Sequence, residues 1–168
     1  MSNRLVSHKV RTSVVVLLCF FAIQTNGQDA VLLNTNRELI TKYIDVVING
    51  HNLSRKSEFF HEDYIWHKMD GESVSNKTDS GHTSILRWLF TAIPDVHYRI
   101  ENIEAGGNMV GITTTATGIA RSEMFGLPVG QKKVTYKQMF FYLLKSGKIA
   151  EQWEVVDADG IKSQLEKK

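Results

Sequence analysis

Residues 132–157 read KKVTYKQMFFYLLKSGKIAEQWEVVD. The first half is dense in β-branched and aromatic side chains, Ser146-Gly147 supplies a two-residue turn, and residues 148–157 form a second extended run. Such a pattern predicts a long antiparallel hairpin. Working back toward the N-terminus, residues 125–131 hold Gly126, Pro128 and Gly130 and must be a loop. Residues 109–121 are a threonine-rich strand carrying Thr113, Thr114, Thr115 and Thr117, and a Gly106-Gly107-Asn108 turn joins them to a strand over 96–104. Four consecutive strands make a meander.

Before Asp95 the apolar period changes from two to that of a helix. Residues 84–93 place Ile85, Leu86, Trp88, Leu89 and Ile93 at helical spacing, and Pro94 ends the run. Tyr64 to Lys68 alternates as a short strand, and residues 53–60 read as a short helix. Upstream, Leu39, Ile40, Tyr43, Ile44, Val47 and Ile48 mark one face of a longer helix. Thr35 with Glu38 reads as its capping box and Gly50 as its stop. Residues 160–165 form a short closing helix. The expectation is an α+β domain in which three N-terminal helices pack on a curved antiparallel sheet.

Composition fits one soluble domain: 168 residues, 42% hydrophobic, 23% charged. A net charge of +2 gives no support for a nucleic-acid partner. Residues 1–27 differ from the rest. Arg4, Lys9 and Arg11 precede an apolar run over 12–23, and Thr25 and Gly27 are small residues flanking a cut after Gly27. That is the layout of a secretory signal peptide. The run is too short to span a bilayer, which needs about 20 residues. The expected domain is therefore residues 28–168, secreted or periplasmic, with no stable membrane insertion after cleavage. It keeps 17 basic and 18 acidic residues. Cys19 is the single cysteine and lies in the leader, so the domain is expected to work without disulfides or thiolate chemistry. Asn52-Leu53-Ser54 and Asn76-Lys77-Thr78 fit the glycosylation acceptor pattern.

Helices laid across a curved sheet can leave a pocket open at one end. Strict alternation puts Ile149, Glu151, Trp153, Val155 and Asp157 on one face of the last strand, and Ala150, Gln152, Glu154 and Val156 on the other. The first set mixes apolar groups with two carboxylates, as a pocket wall would. The preceding strand aligns Val134, Tyr136, Gln138, Phe140 and Tyr142, with Tyr136 and Gln138 as polar handles. Alternation alone leaves open which face points inward. The histidines at 51, 61, 67, 82 and 97 show no metal-ligand spacing, and no metal or cofactor is expected. His82 and His97 read as surface or loop residues.

Glu151-Gln-Trp153-Glu-Val-Val-Asp157, followed by Gly160 and Gln164-Leu165, resembles the closing signature of the SnoaL-like polyketide cyclases, also called ester cyclases. Asp63-Tyr64-Ile65-Trp66-His67 resembles that family's strand ending in histidine, and Ile93-Pro94-Asp95 its Phe-Pro-Asp turn. Gly118, Gly126-Leu127-Pro128 and Ser146-Gly147-Lys148-Ile149 resemble further pieces in order, so the likeness covers roughly residues 36–165. It implies the nuclear transport factor 2-like fold, a cone-shaped α+β barrel. It also implies a cofactor-free aldol ring closure, with Asp157 as general acid/base and His67 as the pocket histidine. Trp153, Trp66, Trp88, Phe140 and Glu151 would complete the lining. Three functional classes follow: an acid/base catalyst on a hydrophobic carbonyl or polyketide-like molecule, a non-catalytic binder of a hydrophobic small molecule, and a homodimeric interaction module. An exported address is unusual for a biosynthetic cyclase, and the polar stretch 69–82 and the Glu123-Met124-Phe125 insertion depart from the family pattern.

Overall fold

A computed structural model describes residues 27–75, 81–128 and 130–167. The leader expected over 1–27 falls almost wholly outside these residues, as does Asn76. Helix α1 covers 27–43 and runs on as a π-helical turn, Ile44–Asn49, capped at Gly50. Its buried stripe is Ile40, Tyr43, Ile44, Val47 and Ile48, as the periodicity predicts. The capping box does not form. Thr35 lies inside the helix and its hydroxyl donates to the Val31 carbonyl, while Asn34 donates to Glu38. The helix begins earlier than Thr35, so that hydroxyl meets a filled preceding turn instead of free amides.

A 3₁₀ turn, Leu53–Arg55, and a single turn α2, Lys56–Phe59, lead into β1, Phe60–His67. The polar segment after β1 folds back as β2, Ser73–Ser75, paired antiparallel to β1. Then come α3, His82–Ala92, and the strands β3, His97–Gly106, β4, Met109–Ala120, β5, Lys132–Lys145, and β6, Lys148–Val156. Helix α4, Ala158–Glu166, closes the chain. The sheet order is β2-β1-β6-β5-β4-β3, an open sheet in which β1 and β6 pair in parallel and every other pair is antiparallel. Among the described residues no helix is long and apolar enough to cross a membrane.

Two features fix how the helices sit on the sheet. The Asn49 side chain donates to the Tyr98 carbonyl at 3.0 Å and accepts from the Tyr98 amide at 2.7 Å, so the end of the first helical segment pairs with β3 as a strand would. On β4, Gly118 faces the turn at Pro94, where a Cβ would collide with the Ile93 side chain. That close approach explains the glycine.

The register of β6 decides which of its residues face the core. Leu143 pairs with Glu151 but Leu144 pairs with Ile149, so one step along β5 spans two residues of β6. Ala150 is the extra residue of a β-bulge. It breaks the alternation expected for this strand. Ile149 is inside, Glu151 outside, and Gln152, Glu154 and Val156 lie on the inner face opposite Tyr142, Phe140 and Gln138.

Helix α4 is held at its start by Asp157, whose carboxylate accepts the Gly160 amide at 2.9 Å. Ile161 and Leu165 are buried, and the Gln164 amide bonds both the amide and the carbonyl of Thr135 on β5. Replacing Asp157 by Ala should therefore cost about 1 kcal/mol, as loss of an N-cap does, while Asp157→Asn should keep nearly full stability because Asn also caps. Urea midpoints of the two variants check this, and equal destabilisation by both would contradict it.

Candidate active site

A cavity of about 430 Å³ lies between α3 and the inner face of the sheet. Helix α3 supplies Ile85, Leu86, Trp88 and Leu89. Of these, Trp88 is 39% exposed and meets Phe125, from the loop before β5, edge-on at 6.3 Å. These are apolar side chains that the core does not cover, and they form the mouth. The floor is Trp66 of β1, Tyr98 of β3, and Tyr136, Gln138 and Phe140 of β5. Glu154 and Val156 of β6 complete it, with Tyr43 and Ile48 behind.

The polar groups are few and organised around Gln152, which is 0% exposed. Tyr64 donates to its Oε1 at 3.2 Å, which turns the amide nitrogen toward the cavity side. That nitrogen donates to Glu154 Oε2 at 2.9 Å and to His82 Nε2 at 3.4 Å. A ring nitrogen that accepts carries no proton, so the imidazole proton sits on Nδ1. His82 opens α3 at 3% exposure, packed against the rings of Phe60, Tyr64 and Trp66. Its expected surface position is overturned. Burial, with the nearby Lys56 charge adding to it, holds His82 well below the usual histidine range, so the ring is neutral.

Glu154 is the acidic group of the cavity. Desolvation by the apolar walls pushes its carboxyl up to about 7, and the hydrogen bond from Gln152 opposes part of that rise. The hydroxyls of Tyr98 and Tyr136, which line the same cavity, stand 3.4 Å apart, and burial raises both, so they stay protonated. Among the described residues, no three His, Cys, Asp or Glu side chains gather closely enough to hold a metal ion.

Of the residues expected from sequence, Trp66, Trp88, Tyr136, Gln138 and Phe140 line the cavity. Asp157, His67, Glu151 and Trp153 do not. Asp157 caps α4. His67 lies on the outer face, where its Nε2 is 2.6 Å from Glu151, its Nδ1 is 3.0 Å from Ser73 and its ring stacks on Trp153 at 4.5 Å. Asp157 and His67 are thus not brought together. The bulge at Ala150 puts Glu151 and Trp153 on the face opposite Ile149, whereas strict alternation groups the three on one face. Gln152, Glu154 and His82 are the residues that sequence reasoning did not select. Glu154 had a signal, a carboxylate flanked by Trp153 and Val155, but its face could not be read without the bulge.

The raised Glu154 group has a consequence for stability. A carboxyl whose folded pKa of about 7 exceeds its ordinary 4.5 binds more protons folded than unfolded between those values. Stability from this group is therefore full below about 4.5 and is lost as pH rises to 7. The melting temperature of Glu154→Gln minus that of wild type should climb across that window and level off above it. A constant offset from pH 4 to 8 would contradict the assignment.

Residues 37–165 match the family model described as SnoaL-like polyketide cyclase. Among solved structures the chain is similar to AclR from Streptomyces galilaeus, at TM-score 0.71 and 18% identity, covering 79% of this chain and 96% of that one. It is also similar to IdmH from Streptomyces antibioticus, at TM-score 0.68 and 18% identity over 77% and 97%. A SnoaL-like polyketide cyclase from Agrobacterium tumefaciens gives TM-score 0.66 and 22% identity over 77% and 97%. The curated proteins contain no match.

Proposed function

Because the chain belongs to the SnoaL-like polyketide cyclase family, with its nuclear transport factor 2-like fold, we propose that it is a cofactor-free acid/base catalyst acting on a hydrophobic carbonyl compound. The observation that carries this reading is the Glu154 carboxyl. It stands in an apolar cavity, is oriented by the Gln152 amide, and is pushed up to about 7 by burial. A carbon acid beside one or two carbonyls needs a base near neutrality, and the same group must then hand the proton back. Burial raises Glu154 toward the range in which one carboxyl can both take and return such a proton.

The step balances on this one group. The carboxylate takes the α-proton, the C–H electron pair moves into the enolate, and the carboxylic acid protonates the product oxygen or carbon. Where the ligand holds a second carbonyl in reach, enolate attack on it closes a ring and the new alkoxide takes the proton from Glu154. Gln152 holds the carboxylate and, through His82, the opposite side of the network. The basic and apolar pattern of residues 1–27 supports action outside the cytoplasm.

Deuterium uptake at C2 of ethyl benzoylacetate in heavy water, followed by NMR, tests the catalytic reading. Wild type should accelerate exchange, with a rate that rises through about pH 7 and levels as the carboxylate fills. Glu154→Gln should lower it about 10²- to 10⁴-fold, and Asp157→Asn should leave it unchanged. The reverse pattern of the two variants would return the catalytic role to Asp157. No exchange above buffer would leave the non-catalytic binder of the same cavity as the reading.

One observation favours self-association as well. The outer face of β5 and β6 leaves Met139, Phe141 and Val155 each about half exposed, with Met139 paired to Val155 across the strands. Neighbouring apolar side chains on an open sheet support a homodimer through that face.

A further inference from the structure

Ser73, His67 and Glu151 form one hydrogen-bonded chain on the outer face of the sheet, and none of them lines the cavity. The His67 Nε2 is 2.6 Å from Glu151 Oε2, and its Nδ1 is 3.0 Å from the Ser73 hydroxyl. The contacts that fasten β2 to the sheet thus also put a hydroxyl, an imidazole and a carboxylate in line. A carboxylate only accepts, so the neutral ring carries its proton on Nε2 and presents the Nδ1 lone pair to the Ser73 O–H. That is the polarity a serine nucleophile needs: a base on its hydroxyl, and an acidic residue orienting the base from the other side.

The surroundings suit reaction as well as support. Ser73 is exposed, whereas the His67 and Glu151 side chains are only 25% and 31% accessible. The hydroxyl is therefore open to a substrate while the base behind it is partly shielded. The His67 ring lies nearly parallel to Trp153, 9° between planes, which fixes its rotation and sets an apolar ring beside the base. The backbone contributes too. The Lys68 amide donates to the Glu72 carbonyl at 2.8 Å, so His67 and Ser73, the next pair along, are a non-hydrogen-bonded pair of the antiparallel ladder. Facing side chains come closest at such a pair, and the Ser73 amide points away from β1. Strand β2 is the edge of the sheet, so among the described residues no strand takes that amide.

We propose that Ser73, His67 and Glu151 are a second catalytic site, which hydrolyses small uncharged carboxylic esters through an acyl-serine. Ser73 Oγ attacks the acyl carbon, its proton passes to His67 Nδ1, and the Ser73 amide donates to the oxyanion. Collapse of the adduct breaks the bond to the alcohol, which leaves with the proton from Nδ1. Water then adds to the acyl carbon and gives a proton to Nδ1, and Ser73 Oγ recovers it on leaving. Acid and alcohol are the products, and no co-reactant besides water is consumed. Glu151 holds the Nε2 proton throughout, and the acyl group lies against Trp153. The site is independent of Glu154 and of the cavity on the opposite face.

Diisopropyl fluorophosphate, which traps nucleophilic serines, tests the assignment directly. It should phosphorylate Ser73, located by mass within the peptide 69–77 that Lys68 and Lys77 bound. The protein should also release nitrophenolate from p-nitrophenyl acetate. Ser73→Ala should abolish the label and lower that release about 10²- to 10⁴-fold, and His67→Gln should do the same. Glu151→Gln should slow both reactions and leave Ser73 the labelled residue. Ser75→Ala, two residues along the same strand, should change neither. Ser73→Ala removes one exposed hydroxyl, and an unchanged melting temperature shows that its effect is not loss of the fold. A label on other residues without Ser73, no nitrophenolate above buffer, or release that survives Ser73→Ala would overturn the proposal. A chain that only fastens β2 gives those results.

Discussion

Gln152 is a primary amide with no access to solvent, and the inner face of the sheet is arranged around satisfying it. An unpaired amide in such a place would cost several kcal/mol. It is satisfied by three different elements: the Tyr64 hydroxyl from β1, the His82 ring from α3 and the Glu154 carboxylate from its own strand. Each partner must therefore sit at the right height on the sheet. The parallel pairing of Trp66 with Gln152 sets β1 against β6, and the start of α3 is held over the same point. The bulge at Ala150 is the local device that makes this possible. Without the extra residue, the sequence Glu151-Gln152-Trp153-Glu154 would face the other way, putting Trp153 inside and the amide out.

The same arrangement separates two carboxylates by environment. Glu151 faces outward, meets His67 at 2.6 Å and forms with Ser73 and Trp153 a polar cluster that fastens β2 and β1 to β6. Glu154, three residues on, faces the apolar cavity, and desolvation raises it to about 7. Two side chains of the same type on one strand thus acquire a structural role and a chemical one. The difference arises from which face each occupies, not from the groups themselves. Helix α3 contributes in the same spirit. It buries Leu86 and Leu89 in the core but holds Ile85 and Trp88 half exposed at the cavity mouth, so an amphipathic helix serves as both packing element and wall.

The architecture was legible in the chain because period is a local property. Ile40 to Ile48 and Ile85 to Ile93 repeat at helical spacing, residues 96 onward alternate, and Pro94, Gly107 and Ser146-Gly147 punctuate the elements where the structure turns. The family signature agreed with that order, and the match over 37–165 bears it out. Tyr136, Gln138 and Phe140 were also legible as one face of β5, since that strand alternates without interruption until Leu143.

By itself, then, the sequence determined an α+β domain of this family, with most of its helix before a four-strand meander and an aromatic inner face on β5. Each of these rests on contacts between residues close along the chain. Only the tertiary structure decided which carboxylate meets the cavity. Glu151, Glu154 and Asp157 fall within seven residues, and nothing in their order distinguishes a strand that alternates from one that carries an extra residue at Ala150. A bulge is set by pairing with β5 and β1, segments far away in sequence. His82 was beyond local reading for the same reason: a histidine opening a helix after a polar stretch looks solvated, and becomes a buried neutral donor only when Phe60, Tyr64, Trp66 and Gln152 close around it.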